Sequence, residues 1–155
     1  MIFVFVYPVI IAYFSQNFKM QLQTKSPEDT QELAKKLILG YPELRVWLLE
    51  GDLAAGKTEL VKGLAKALGM DDEISSPTFA YLKEYGNELA HYDLYRLEGP
   101  DEELLHLISE HIEGPGFTVL EWPSRMKLQL DQAHLKIEIH HQGGNERLFK
   151  LTPCY

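Results

Sequence analysis

The apolar and polar positions of residues 20–155 alternate in stretches that predict helices and strands in turn. Apolar residues recur at helical spacing within 26–40, and Ser26, at the start of this range, is a residue suited to capping a helix. The short apolar run 45–50 is typical of a strand buried inside a sheet. Helical spacing then returns over 57–69. The first half of the chain is therefore predicted to run helix, strand, glycine-rich turn, helix.

The second half continues with strands around one further helix. Residues 79–85 and 88–97 are separated by a Gly-Asn pair and predict an antiparallel hairpin. Residues 101–114 predict an amphipathic helix, 117–122 a buried strand, and 134–151 a terminal hairpin. The order predicts a three-layer α/β/α domain with a mixed, largely parallel central sheet and a C-terminal β-hairpin. The strand order is not readable from this pattern.

Composition and charge narrow the functional classes. The 155 residues suit one domain with a single core, and the formal net charge is −8. A protein that grips nucleic acid by itself needs a basic patch to neutralise phosphates, and this sequence has none. A role on RNA would therefore depend on a partner that supplies positive charge. The single cysteine, Cys154, cannot form an internal disulfide, so a reducing cytoplasm is expected.

The first fourteen residues are apolar but do not predict a membrane span. As a helix they would reach about 21 Å, short of the hydrocarbon core of about 30 Å. They also lack the basic start and the cleavage site of a secretory signal. We interpret residues 1–19 as an N-terminal extension from a start codon assigned too early, with synthesis beginning at Met20. An added strand or a weak membrane contact are the alternatives. Residues 20–155 are expected to form a single domain.

The turn between the first strand and the second helix carries a phosphate-binding pattern. The sequence Gly51–Thr58 fits G-x-x-x-x-G-K-[ST] and lies between a predicted strand and a predicted helix, as the motif requires. In such a P-loop the backbone N–H groups turn toward phosphates, the lysine reaches the β- and γ-phosphates and the hydroxyl binds Mg²⁺. A glycine turn that merely caps a helix is the alternative. The pattern predicts a P-loop NTPase-like domain in which nucleotide phosphates and Mg²⁺ contact Gly51, Asp52, Leu53, Ala54, Ala55, Gly56, Lys57 and Thr58.

A P-loop needs a carboxylate at the end of a neighbouring strand, and two acids qualify. Glu121 ends an apolar run and is assigned to Mg²⁺, whereas Asp93 is assigned to the attacking water or the γ-phosphate. The two assignments could be exchanged. Thr78 lies where a switch residue that senses the γ-phosphate would lie, although a proline turn is equally consistent with the spacing. The histidines, His91 among them, show no metal-ligand spacing and are interpreted as surface or packing residues.

Four segments together resemble one family. GDLAAGKT, SPTF, HYDLYRL and LEWP, in this order and at these separations, resemble the TsaE (YjeE) family of bacterial tRNA threonylcarbamoyladenosine biosynthesis. The resemblance implies a cytoplasmic ATPase that binds ATP and Mg²⁺ and hydrolyses ATP slowly alone. It also implies TsaB and TsaD as partners, with tRNA contacted only through the complex and no membrane association.

The resemblance also assigns roles to individual residues. It implies that Lys57 contacts phosphates, that Thr58 and Glu121 bind Mg²⁺, and that Asp93 is an essential strand acid. Three further residues are implied to contact or sense the nucleotide: Thr30 near the adenine, Thr78 as the switch and Trp122 beside the second metal ligand. Ala54 replaces a glycine usual in the family. The terminal hairpin matches too loosely to assign a nucleotide contact to Arg147.

Two other functions stay open at this point. A P-loop kinase for a small metabolite would ordinarily clamp the transferred phosphoryl group with lid arginines, and the four scattered arginines speak against it. A non-hydrolytic scaffold, in which ATP only shapes a partner surface, would tolerate loss of the acids Asp93 and Glu121.

Overall fold

The computed structural model describes residues 19–71 and 73–155. The predicted extension of residues 1–19 lies, apart from Lys19, outside this part of the chain. The strands are β1 (Met20–Thr24), β2 (Val46–Glu50), β3 (Leu82–Tyr85), β4 (Leu89–Asp93), β5 (Phe117–Glu121), β6 (His134–Gly143) and β7 (Glu146–Cys154). The helices are α1 (Pro27–Gly40), α2 (Lys57–Ala67) and α3 (Glu102–Glu113), with a 3-10 turn at Pro123–Met126.

The seven strands form one mixed sheet in the order β1-β7-β6-β2-β5-β4-β3. Parallel pairing joins β6, β2, β5 and β4 at the centre, and antiparallel pairs flank it on both sides. A mixed sheet was predicted, but parallel pairing is confined to its centre. The strand β1 was not predicted, because its sequence MQLQT is half polar. It is held by backbone pairing with β7 at the sheet edge, where one side chain in two faces solvent.

Helices cover both faces, which confirms the three-layer α/β/α prediction. On one face α1 and α2 pack together over the sheet, with Leu33, Leu60 and Leu64 in the larger core. On the other face α3 packs through Ile108 over a smaller core. No helix in the described residues is long and apolar enough to cross a membrane.

The hairpin predicted over 79–85 and 88–97 forms, but its strands are shorter. The first strand begins only at Leu82, after a turn at 78–80 and Tyr81 in left-handed conformation. The second ends at Asp93 because the chain then enters a turn, closed by the bond from the Leu97 N–H to the Leu94 carbonyl. The carboxyl ends of β2, β4 and β5 consequently lie side by side at one edge of the sheet. This edge carries Glu50, Asp93 and Glu121.

Candidate functional site

The loop from β2 to α2 has the backbone that a phosphate cradle needs. A Cβ at Gly51 would lie 2.5 Å from the carbonyl oxygen of Ile139, so only glycine fits against β6 there. Gly56 has φ 111° and precedes α2 without a capping side chain. The first N–H that bonds within the helix is that of Leu60, to the Gly56 carbonyl. The N–H groups of residues 57–59 thus stay available to an anion at the positive end of the helix.

Lys57 points back over this loop. Its ammonium donates to the carbonyl oxygens of Gly51 at 2.6 Å and Asp52 at 2.9 Å. The same nitrogen lies 4.1 Å from the centre of the Trp122 ring, within the range of a cation–π contact. Burial lowers the pKa of Lys57, and the nearby carboxylates of Glu121 and Asp93 oppose that shift. The two carbonyl oxygens are weak partners for the ammonium group of Lys57, and a phosphate can replace them.

Thr58 and Glu121 meet at the start of α2. Thr58 Oγ1 lies 3.5 Å from Glu121 Oε1, and Glu121 ends β5 almost fully buried. A hydroxyl and one carboxylate are hard oxygen ligands of the kind that Mg²⁺ takes together with nucleotide phosphates and water. The described residues contain no cluster of three acidic, histidine or cysteine side chains that could hold a metal alone. This donor set therefore fits a magnesium ion that arrives with a nucleotide.

Asp93 holds the segment that contains Thr78. Its Oδ2 accepts hydrogen bonds from Ser76 Oγ at 2.6 Å and Thr78 Oγ1 at 2.8 Å. Its Oδ1 accepts the N–H of Tyr95 at 3.0 Å. Asp93 is buried, so three donors replace the water that its carboxylate loses. The predicted switch threonine is thus tied to the predicted strand acid.

Trp122 adopts left-handed backbone geometry, with φ 59°, immediately after Glu121. Pro123 follows, and the N–H of Ser124 donates to Glu50 Oε1 at 2.8 Å, which fixes the turn. The indole ring packs against Tyr95 with 5.0 Å between ring centres. The turn at the end of β5 thereby places an aromatic wall beside Lys57.

One open cavity of about 420 Å³ joins these groups. Eleven of the thirteen predicted site residues line it: Thr30, Leu53, Ala54, Ala55, Gly56, Lys57, Thr58, Thr78, Asp93, Glu121 and Trp122. Gly51 and Asp52 do not, because their carbonyls lie beneath Lys57. The hydroxyl of Thr30 lies 3.0 Å from that of Thr24.

Arg147, to which the loose family match of the terminal hairpin assigned no role, reaches the P-loop from β7. Its Nε donates to the Ala55 carbonyl at 2.8 Å, and Nη2 lies 3.5 Å from the Ala54 carbonyl. Nη1 donates to the carbonyls of Gly144 and Glu146 at 3.0 and 2.9 Å. Ala54 has φ 61°, a conformation that costs a residue with a Cβ and that glycine adopts freely. The guanidinium supports the loop at this position.

Other residues of the site also escaped the sequence analysis. Ser76 and Asn145 line the cavity, and Ser26 does so in addition to capping α1. Of these, only Ser76 carried a signal, its place in the segment SSPT. Of the two interpretations of His91, surface or packing, the structure excludes the first, because the side chain is fully buried; its contact with Glu121, Nε2 to Oε1 at 2.8 Å, was not predicted. No spacing rule would have found this pair, which lies on neighbouring strands and thirty residues apart.

Comparison with known proteins was made by sequence and by structure. The family model described as threonylcarbamoyl adenosine biosynthesis protein TsaE matches residues 24–149. A tRNA threonylcarbamoyladenosine biosynthesis protein TsaE from Bacillus subtilis is 37% identical over 86% of this chain and 85% of the relative. One of the same name from Treponema pallidum is 36% identical over 83% and 96%. The crystal structure of Bacillus subtilis YdiB superposes with a TM-score of 0.73 at 32% identity, covering 92% of this chain and 90% of that one.

Proposed function

Because the chain belongs to the TsaE family of threonylcarbamoyl adenosine biosynthesis, we propose that it is the ATPase subunit of the tRNA-modifying machinery. It binds ATP with Mg²⁺ and hydrolyses it to support the turnover of TsaB and TsaD. Both partners, like a cytoplasmic location, are expectations from the family resemblance. The net charge of −8 is consistent with tRNA being held by the other subunits.

One observation carries the proposal. The free N-terminus of α2, with Lys57 and Thr58, faces the ends of two neighbouring strands, where Glu121 and Asp93 stand across one cavity. A positive helix end suits phosphates, and strand-end acids suit the metal and the attacking water. A turn that only capped a helix would not require two buried carboxylates opposite it.

Each group of the site has a role in the proposed reaction. The N–H groups at the start of α2 would bind phosphate oxygens, and Lys57 would leave the carbonyls of Gly51 and Asp52 to contact the β- and γ-phosphates. Thr58 and Glu121 would hold Mg²⁺, which when bound neutralises charge that develops on the phosphate oxygens.

Asp93 acts on the side of the attacking water. Its carboxylate anchors the hydroxyls of Ser76 and Thr78, so it sets where the segment 75–78 can present a hydroxyl to the γ-phosphate or to water. Charged acceptors of this kind orient water for in-line attack. Asp93 thus positions both the switch threonine and the nucleophile.

Phosphate release from ATP tests the proposal, measured with the protein alone and after adding TsaB and TsaD. We expect slow release alone and stimulation by the partners. Glu121→Gln and Asp93→Asn should each lower the stimulated rate by about tenfold or more, which is about 1.4 kcal/mol of barrier. Glu88→Gln, a change at a carboxylate on the β3–β4 turn, is the matched control and should leave the rate unchanged.

Two companion assays, label transfer from ATP and threonylcarbamoyl transfer, separate the other two functions. A kinase would transfer label from ATP to a small acceptor, so labelled product from a metabolite mixture would contradict the ATPase assignment. A scaffold would support threonylcarbamoyl transfer fully in the Glu121→Gln and Asp93→Asn variants provided that they still bind ATP.

A further inference from the structure

A completely buried histidine touches the acid that we assign to Mg²⁺. His91 has 0% of its surface exposed, and its Nε2 lies 2.8 Å from Glu121 Oε1. Its other ring nitrogen, Nδ1, is also buried and has no hydrogen-bond partner in the described chain. The imidazole therefore makes one polar contact, with Glu121.

The chemistry of that contact fixes its direction. A carboxylate can only accept, so the proton lies on Nε2 and His91 donates to Glu121. If Nδ1 carried a proton as well, its N–H would be a second buried donor, and it would have no acceptor. Leaving Nδ1 unpaired costs about 1–3 kcal/mol, a cost that an apolar side chain in the same place would avoid. Packing alone does not explain a histidine here.

The donation also determines which part of Glu121 faces the cavity. Oε1 accepts from His91 and lies 3.5 Å from the Thr58 hydroxyl, whereas Oε2 has no protein donor in the described chain. His91 thus fixes the rotation of the carboxylate and leaves Oε2 for a ligand. Groups that hold a metal-binding side chain in this way commonly change metal affinity or activity 10- to 100-fold when they are lost.

We propose that His91 is a positioning residue that holds Glu121 in the orientation for the Mg²⁺ of the bound nucleotide. The inference rests on the proposed function, because it requires that Glu121 meets a metal there. It goes further by naming a residue that touches neither the nucleotide nor the metal and yet determines metal affinity.

Two amide variants test the donor atom by atom. The amide nitrogen of His91→Gln can take the place of Nε2 and donate to Glu121, whereas that of His91→Asn corresponds to Nδ1 and falls short. Both are polar amides that differ by one methylene, so the metal-free nucleotide affinity serves to detect any difference in packing at the site. His134→Gln is the matched control, since His134 is also buried but lies at the start of β6, outside the cavity.

The readout is Mn²⁺ binding measured by electron paramagnetic resonance with a non-hydrolysable ATP analogue, beside the affinity for that analogue in EDTA. We expect His91→Asn to weaken Mn²⁺ binding by about tenfold or more and His91→Gln by less than about threefold. Metal-free nucleotide affinity should stay within about twofold of wild type in both, because the P-loop supplies it.

The outcomes separate the inference from the function beneath it. Equal Mn²⁺ affinity in His91→Asn and wild type would overturn the role of His91 while leaving the ATPase assignment intact. So would a parallel loss of metal-free nucleotide affinity, which would indicate general collapse of the site. Absence of nucleotide binding in the wild type would refute the proposed function, and the inference with it. Nitrogen-15 shifts of His91 provide a separate check, and a proton on Nδ1 alone would also overturn the inference.

Discussion

Replacing Arg147 by Met should loosen the P-loop, although Arg147 lies more than ninety residues away from the loop in sequence. The guanidinium makes three hydrogen bonds of 2.8–3.0 Å, to Ala55, Glu146 and Gly144, and a longer contact to Ala54. A hydrogen bond contributes about 0.5–1.5 kcal/mol net, and the partial exposure of Arg147 favours the lower half of that range. Three such bonds give about 2 kcal/mol. Methionine keeps the aliphatic stem and removes the donors together with their charge.

Urea unfolding and ATP titration measure the two consequences. We expect a loss of about 2 kcal/mol in the free energy of unfolding, or about 4–8 °C in melting temperature. ATP affinity should fall about fivefold, equal to about 1 kcal/mol, because Ala54 and Ala55 lose their support. Arg147→Lys should recover less than half of either effect, since an ammonium cannot reproduce the fork.

Arg96→Met serves as the control, because Arg96 is exposed and lies over the exposed ring of Phe79. Its effect on stability should stay within about 0.5 kcal/mol. Unchanged unfolding and unchanged ATP affinity in Arg147→Met would refute the reasoning that the terminal hairpin supports the loop.

Three further predictions concern single side chains. Ala54→Gly should stabilise the protein by about 0.5–1 kcal/mol because φ 61° costs alanine but not glycine, and a lower urea midpoint would contradict this. Burial raises the pKa of the Tyr92 phenol far above 10, so the folded phenol stays neutral while the unfolded one ionises. Stability is therefore lost as the pH rises past 10. In urea unfolding between pH 9 and 11, wild type should lose about 1.4 kcal/mol more stability than Tyr92→Phe, and equal losses would refute the prediction. Ser76→Ala should lower partner-stimulated ATP hydrolysis about threefold through its bond to Asp93, and an unchanged rate would show that Thr78 alone suffices.

Local signals made most elements predictable. The helix start at Ser26 was confirmed because the capping residue, Pro27 and the first-turn acids all agree. Asp101 likewise caps α3, ahead of two first-turn acids. The buried strands β2 and β5 were confirmed because short apolar runs of this kind are stable where both faces of the strand are covered. Edge strand β1 was missed because its pairing depends on β7, more than a hundred residues away.

The same distinction between local and long-range signals applies to the candidate site. The P-loop could be predicted from spacing because its residues are consecutive in the sequence. The residues that contact the loop and its acid could not be predicted in this way. Arg147 reaches the loop from β7, and His91 reaches Glu121 from β4. Strand order brings them together, and strand order is a tertiary property. Only the structure could pair His91 with the acid beside it.

Calorimetric titration with ATP and Mg²⁺ tests the central claim most directly, using wild type, Lys57→Ala and the exposed-lysine control Lys35→Ala. The account predicts saturable binding to one site in wild type and in the control, and affinity about tenfold or more weaker in Lys57→Ala. Equal affinity in all three proteins, or no saturable binding in wild type, would contradict a nucleotide held between the start of α2 and the ends of β4 and β5.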